Sequence, residues 1–323
     1  MTTRRATLAA FATTLAAPAL HAQPAAWAPT RSVRMVVTYP PGGVNDIVAR
    51  ILVEPLSREL GQPVVVENRA GAGGNIGTQA VLAAEPDGHT ILFGSTAMFG
   101  VNPIVYASTG VDAVRDTTCI GAIGEVANVL SVLPRRVQAT TVRELIDEAK
   151  RRPLVYGSVG NGSSSHMSAT LFFSMAGITA EHVPYRGSSP LVAAMLANDV
   201  DFGFDTTATS ANHVRAGTFR ALAVTSSRRA SALPDVPTMS EAGLAGYDMG
   251  IWFATHLHHR TPAPIVARMR DAVAKTQTPQ TAERLRGAFV DPLAIPPDRL
   301  DAWVRESAGR WQAIARQAGI RAD

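Results

Sequence analysis

The chain has 323 residues, 46% of them hydrophobic and 17% charged, with 30 basic against 26 acidic side chains. This length buries a large core and fits two lobes of an ordinary globular protein. The basic excess does not argue for nucleic acid, because there is no dense Lys/Arg stripe with interleaved aromatics.

The first segment carries Arg4 and Arg5, an apolar run from Ala6 to Leu20, and small residues ending near Ala22. This is the pattern of a secretory signal peptide over residues 1–22. Its loss removes two arginines and no acid, so the formal charge falls from +4 to +2. About 15 apolar residues are too few to span a bilayer core of ~30 Å, and no later run is long enough, so the mature chain is expected to be soluble in the periplasm. Thr7 stands where the twin-arginine signal wants an apolar residue, which leaves the general and the twin-arginine export routes both open. Cys119 is the one cysteine of the sequence and reads as a small core residue.

From Val33 onward, short β-branched runs alternate with helical patterns: "VRMVVTY", a helix near 46–60, "PVVVEN", a helix near 75–84, and "HTILFGS". Strand and helix alternating at this spacing predict an α/β fold with a mostly parallel sheet. Pro55 falls inside the first helix and is expected to kink it. A second α/β series follows: "LVYGSVG", a helix near 164–176, "AEHVPYRG", a helix near 189–197, "VDFGFD", a helix near 208–216, and "FRALAVTS". Between the two series lie the extended passages "CIGAIGEVANVLSVLP" and "AGYDMGIWFATHLHHR". Two crossings imply an inserted lobe, 126–246, within a discontinuous one, 31–125 with 247–323. The helical tail from Ile265, with Trp303 and Trp311, is expected to pack on the discontinuous lobe.

Two turns carry the candidate chemistry. In "YPPGGVNDIVAR" the Pro-Pro lead stiffens the chain, Gly42 and Gly43 permit positive φ, and Asn45 or Asp46 can cap the helix that follows. In "YGSVGNGSSSHMSATLFFSMAG" a strand runs into a Gly/Ser/Asn loop, and Ser163, Ser164 or Ser165 can cap the next helix. Two such helix starts facing one cleft would present free N–H groups to a small anion.

Other motifs point less far. Serine beside His166 invites a hydrolase reading, but no G-x-S-x-G surrounds it and no carboxylate is placed to complete a triad. "GAGGNIG" has Ile76 where a dinucleotide loop needs its third glycine, so it reads as a closely packed turn near the cleft. "HLHHR" has no companion ligands and reads as exposed strand or loop histidines rather than a metal site. Tyr185, Arg186 and Asp205 end strands and can line the cleft, although Arg186 can equally face water and Asp205 can equally cap a helix.

Taken together, "YPPGGVNDIVARIL", "LGQPVVVENRAGAGGNIGTQAVLAAEPDGHTILFGS", "VYGSVGNGSSSHMSATLFFSMAGI", "HVPYRGSSP" and "RALAVTSSRRASALPDVPTMSEAGL" closely resemble the Bug family. These are TctC-like substrate receptors of tripartite tricarboxylate transporters, and the likeness runs from about residue 31 to the C-terminus. It implies a two-lobe periplasmic-binding-protein fold of the Venus-flytrap, type II-like kind, with two interdomain crossings. It also implies a receptor that catalyses nothing, needs no cofactor, works as a monomer, and delivers a small carboxylate to a membrane permease.

Carried onto this chain, the first ligand loop is Tyr39 with Gly42, Gly43, Val44, Asn45 and Asp46. The second is Ser158, Gly160, Asn161, Ser163, Ser164, Ser165 and His166, with Ser95, Thr96 and Ala97 as a further cleft loop and Tyr185 and Asp205 facing the ligand. The chain departs from the family at Val44, where a small or hydroxylated residue is frequent, at "HLHHRTPAP", and at Cys119 and Ile120. These departures leave the identity of the acid open among di- and tricarboxylates, acidic amino acids and aromatic acids. A receptor that signals to a partner protein, and a serine hydrolase using Ser164 or Ser165 with His166, are the competing readings.

Overall fold

The computed structural model describes residues 27–106 and 110–317, so the expected signal peptide lies outside the described residues. The first series comprises β1 (Val33–Val37), α1 (Val44–Leu60), β2 (Val64–Asn68), α2 (Asn75–Leu82), β3 (Thr90–Ser95), α3 (Thr96–Gly100), α4 (Asn102–Val105), α5 (Ala113–Asp116) and β4 (Thr117–Val126). The second runs through β5 (Asn128–Val132), α6 (Val142–Ala149), β6 (Val155–Ser158), α7 (Ser164–Ala176), β7 (Glu181–Pro184), α8 (Ser188–Ala197), β8 (Phe202–Thr206), α9 (Thr207–Arg215) and β9 (Arg220–Val224). The chain returns through β10 (Ile251–His258), α10 (Ala263–Thr276), α11 (Pro279–Gly287), β11 (Asp291–Pro292) and α12 (Leu300–Gln317).

The described strands form two sheets, ordered β11-β4-β10-β3-β1-β2 and β7-β6-β8-β5-β9. Strand β1 pairs in parallel with β2 and β3, and β6 with β7 and β8. The sheets are nevertheless mixed, which corrects the expectation of mostly parallel pairing. Strand β10 runs antiparallel to both β3 and β4, and β5 runs antiparallel to β8 and β9. The cause is the pair of crossings: β4 carries the chain out of the first sheet, β5 receives it in the second, and β10 brings it back between β3 and β4 in the opposite sense.

Helix α1 follows from its sequence. Val48, Ile51, Leu52, Leu56 and Leu60 recur at helical spacing and are buried against the first sheet, and Gly61 ends the helix in the left-handed region at φ 68°. Each such apolar side chain contributes about 1.5–3 kcal/mol on burial, and truncating Leu52 to alanine would cost about 2–5 kcal/mol. The helix runs through Pro55 as one element, where the sequence predicts a kink.

The tail differs from expectation in one respect. Leu300, Val304 and Ala308 of α12 pack in a cluster with Leu92, Trp252 and Ala254 of the first sheet. Trp311, Ile314 and Ala315, one to two turns further along, join the cluster of Tyr156 and Phe202 from the second sheet and Phe172 from α7. An amphipathic helix of 18 residues is ~27 Å long, enough to reach both interiors.

Candidate functional site

Between the two sheets lies a cavity of about 460 Å³, lined from both sides. Tyr39, Val44, Asn45, Ser95 and Ala97 come from the first half of the fold, and Asn161, Ser163 and Ser164 from the second. Both Gly-rich turns therefore meet at one cavity. In α1 the first helical bond is from the Ile47 N–H to the Gly43 carbonyl (3.0 Å), so the N–H groups of Val44, Asn45 and Asp46 have no helical acceptor. In α7 the Ser163 side chain accepts from the His166 N–H (3.2 Å), and the Met167 N–H bonds the Ser163 carbonyl (3.0 Å). That leaves the N–H groups of Ser164 and Ser165 without helical acceptors. Two positive helix ends converge on the same space.

Several predicted site residues stand behind the wall and hold it in place. Asp46 is 3% exposed and accepts from the Gly42 N–H (3.0 Å), Arg50 Nε (2.9 Å) and Asn68 Nδ2 (2.9 Å). The Arg50 bond, with those from Gly42 and Asn68, outweighs burial and holds its carboxyl down at about 2. The turn needs glycine at Gly42, where φ is +83°. Gly43 is different from the reading that gave both glycines positive φ: its φ is −78°, an ordinary extended value. Thr96, buried, accepts the Trp252 N–H at 2.8 Å and so ties α3 to β10.

The second turn is braced by hydroxyls and rings. The Ser165 hydroxyl accepts from the Val159 N–H (2.9 Å) and lies 2.9 Å from Ser163 Oγ, which donates to the Gly160 carbonyl (2.6 Å). Ser158 Oγ sits 2.7 Å from His182 Nε2, and the His166 ring accepts the Gly162 N–H at Nδ1 (3.2 Å). His166 stacks on His182 (4.4 Å), which stacks on Tyr156 (4.6 Å), which stacks in turn on Phe202 (5.9 Å). Burial, with His166 alongside, pushes the His182 ring down to about 4, and burial also lowers His166. Both rings are thus neutral at pH 7. The Ser163 and Ser165 hydroxyls bond the loop backbone and one another, and the His166 Nδ1 position is taken by Gly162.

Tyr185 and Asp205 do not line the cavity. Tyr185 packs with Leu191 and Val200 beneath α8. Asp205, 4% exposed, accepts from Ser188 Oγ (2.8 Å) and the Thr206 N–H (2.7 Å) through one oxygen, while Oδ2 has no partner. Burial pushes its carboxyl up to about 6. Arg186 is exposed. His256 and His258, expected to be exposed, are 1% and 3% accessible. His256 stacks on Phe99 (4.5 Å) beside Thr117 Oγ1 (3.1 Å), because β10 is an inner strand of its sheet.

Other lining residues escaped sequence reasoning. Val126, Ile251 and Phe253 lie in the two crossing passages, Gly162 inside the serine loop, and Thr206 next to Asp205, so their neighbourhoods were marked although the residues were not. Gly73 belongs to the turn read as close packing near the cleft. It lies at φ +64°, where an added Cβ would meet Asn102 Oδ1 at 2.7 Å. Its carbonyl accepts from Asn102 Nδ2 at 2.8 Å. Only Val101, Asn102, Val105 and Tyr106, on a short helical excursion, had no signal in the sequence.

Below the cavity the crossings are knitted together. The Asn128 N–H bonds Thr225 Oγ1 (2.9 Å), and the Met249 N–H bonds the Thr225 carbonyl (2.7 Å). Glu125, opposite Trp252 and Asp291 in the sheet, has its carboxylate against Gly250. Burial first, then Asp248 and Asp291, push it up to about 7 against the pull of Arg228 and Arg310.

Two α/β halves joined by crossing strands, with a cavity between them under two helix starts, define a solute receptor of the periplasmic-binding-protein type. Residues 48–320 match the family model described as "Tripartite tricarboxylate transporter family receptor". The chain is 33% identical over 297 residues to Protein BugT of Bordetella pertussis strain Tohama I, covering 91% of each chain. It is similar in structure to Rpa4515 of R. palustris, solved with adipate, with 34% identity, a TM-score of 0.74, and 90% of this chain and 98% of the other covered. It is also similar to MatC (Rpa3494) from Rhodopseudomonas palustris with bound malate, with 28% identity, a TM-score of 0.69, and coverage of 89% and 99%. The chain belongs to the tripartite tricarboxylate transporter receptor family, and it is a solute-binding receptor.

Proposed function

We propose that the chain binds a small carboxylate in the interlobe cavity, in the periplasm, and hands it to the membrane permease of a tripartite transporter without reacting on it. The observation that carries this reading is the pair of helix starts, α1 and α7, whose first N–H groups open on one cavity. Each helix end contributes roughly 0.3–2 kcal/mol toward an anion, and aligned donors add to it. The adipate and malate bound by the two similar structures are both carboxylates, which supports the ligand class. The use of His166 as a loop brace supports a binding role over a catalytic one.

We assign lobes 31–125 with 247–323 and 126–246, a division supported by the strand order of the two sheets, and the chain acts as a monomer. Closure is a hinge motion at the two crossings. The test is calorimetry and thermal shift of the purified chain against a panel of carboxylates, since a ligand that binds the folded state must raise the melting temperature. Saturable binding with no turnover of ester substrates is expected. A panel without a hit, or ester hydrolysis lost in Ser164→Ala, overturns the reading.

A further inference from the structure

The wall of the cavity carries more information than its size. None of its described lining residues is charged: it contains no Asp, Glu, Lys, Arg or His. Asp46, the nearest acid in sequence on α1, has its oxygens engaged by Gly42, Arg50 and Asn68 and does not line the cavity. Asp205 lies behind the lining residue Thr206 and is likewise outside the wall. An ammonium group entering this space would give up its hydration with no counter-charge to meet it, which is costly in a closed site. The same wall offers an anion only dipoles and neutral donors. These suit one or two carboxylates and leave a third without compensation.

The apolar part of the wall is continuous in origin. Val44, Val101, Val105, Val126, Ile251 and Phe253 all belong to the first half of the fold and the crossing strands. The hydroxyl and amide groups of the second half, Asn161, Ser163, Ser164 and Thr206, lie across from them. Five polar residues of the same half, Tyr39, Asn45, Ser95, Asn102 and Tyr106, also reach the cavity, and Asn45 is 9% exposed with its side-chain carbonyl oxygen buried and without a partner. The hydrocarbon is therefore gathered on the crossing strands, at Val126, Ile251 and Phe253, while the donors come from the two helix starts and the polar side chains around them.

Building on the receptor reading above, we propose that the preferred ligand is an acid with a hydrocarbon body, aliphatic or aromatic, carrying one or two carboxylates, no ammonium group and no third acid. The carboxylate lies at the helix starts and the hydrocarbon lies against Val126, Ile251 and Phe253. Each CH2 added to a straight-chain diacid then gains roughly three- to four-fold in affinity until the cavity is full.

Calorimetry of the purified chain with succinate, adipate and suberate, with hexanoate and benzoate, and with 2-aminoadipate and citrate tests this. Affinity is expected to rise from succinate to adipate, with a heat-capacity change that grows more negative. At least ten-fold weaker binding is expected for 2-aminoadipate than for adipate, and for citrate than for the best diacid. The half-buried Ile251→Thr variant, on a crossing strand away from both helix starts, is expected to weaken the longer acids three-fold or more and so flatten the rise in affinity from succinate to suberate. Affinity flat with chain length, or 2-aminoadipate or citrate bound as tightly as adipate, overturns the inference while the receptor reading stands. If no acid of the set binds, both fall together.

Discussion

At the start of α1 the turn is held by one ionised carboxylate, while at the start of α7 it is held by hydroxyls and a stack of neutral rings. Asp46 gathers a turn N–H, a guanidinium and an amide on one buried group. Ser158, Ser163, Ser165 and His166 share the corresponding work among four side chains backed by His182. Concentrated bracing is strong and fails as a unit, whereas distributed bracing loses one bond at a time. The two loops therefore offer an anion nearly the same donors but should respond differently to mutation and to pH.

The sharpest way to break the symmetry is Asp46→Ala. It removes the acceptor shared by the Gly42 N–H, Arg50 Nε and Asn68 Nδ2, of which Asn68 keeps its bond to the Tyr39 carbonyl, and with these donors only part-buried the loss should be about 2–3 kcal/mol in urea unfolding. Ser165→Ala, the corresponding change in the other loop, should cost about 1–2 kcal/mol by the same measurement. Equal losses would mean that the bracing is shared alike. The pH dependence of the first loop follows from the low pKa of Asp46, about 2 against 3.8. Its contribution is full above 3.8 and disappears as pH falls toward 2.

Next in size is the pair Gly42→Ala and Gly43→Ala. The first forces a side chain into φ +83° and should cost about 1–2 kcal/mol, while the second, at φ −78° with its nearest neighbour 3.7 Å away, should be within about 0.5 kcal/mol of wild type. Thermal melts of both variants decide whether the turn needs one glycine or two.

A smaller effect separates the loops by pH. His182 is depressed to about 4 from 6.5, so its neutral form is the folded form. The stability that depends on it is full above pH 6.5 and is lost as pH falls through about 4. The wild type should lose a few degrees of melting temperature between pH 7 and 5 that His182→Gln does not lose. An identical slope in both proteins would remove His182 from the brace.

The smallest effect lies between the loops, at the crossing. The Glu125 carboxyl is raised to about 7 from 4.5, so it favours the protonated fold, and the penalty of ionising it appears as pH rises from 4.5 through 7. Glu125→Gln should therefore melt slightly higher than wild type at pH 8 and match it at pH 4.5. A variant less stable at pH 8 would show that the ionised carboxylate is held by Arg228 or Arg310.

Much of this was legible in the residues. Local signals placed the α7 helix at 164–176, where it is found, and α1 within two residues of its start, because caps, glycines and apolar spacing are all short-range. The sense of β5 and β10 was not legible, since strand direction in a sheet is decided by where the chain has to go next. The site divides in the same way. Ser163, Ser164, Val44 and Asn45 sit at helix starts that announce themselves, while Asp46, Ser165 and His166 are the right residues in a supporting part. Whether a polar side chain looks outward or back into its own turn depends on three-dimensional partners such as Asn68 and His182, which lie 22 and 24 residues away from Asp46 and Ser158. Val101, Asn102, Val105 and Tyr106 reach the cavity on helices of four and five residues and their junctions, too short to leave a periodic trace.

Helix α12 gives the chain an unusual indivisibility. Its early turns belong to one interior and Trp311, Ile314 and Ala315 to the other. A gene fragment encoding residues 126–246 alone would be missing an indole and two aliphatic side chains from the middle of its core, and would present that hole to water. The inserted segment therefore cannot be treated as a cassette to be excised, swapped between relatives or produced by itself unless a copy of this distant helix travels with it.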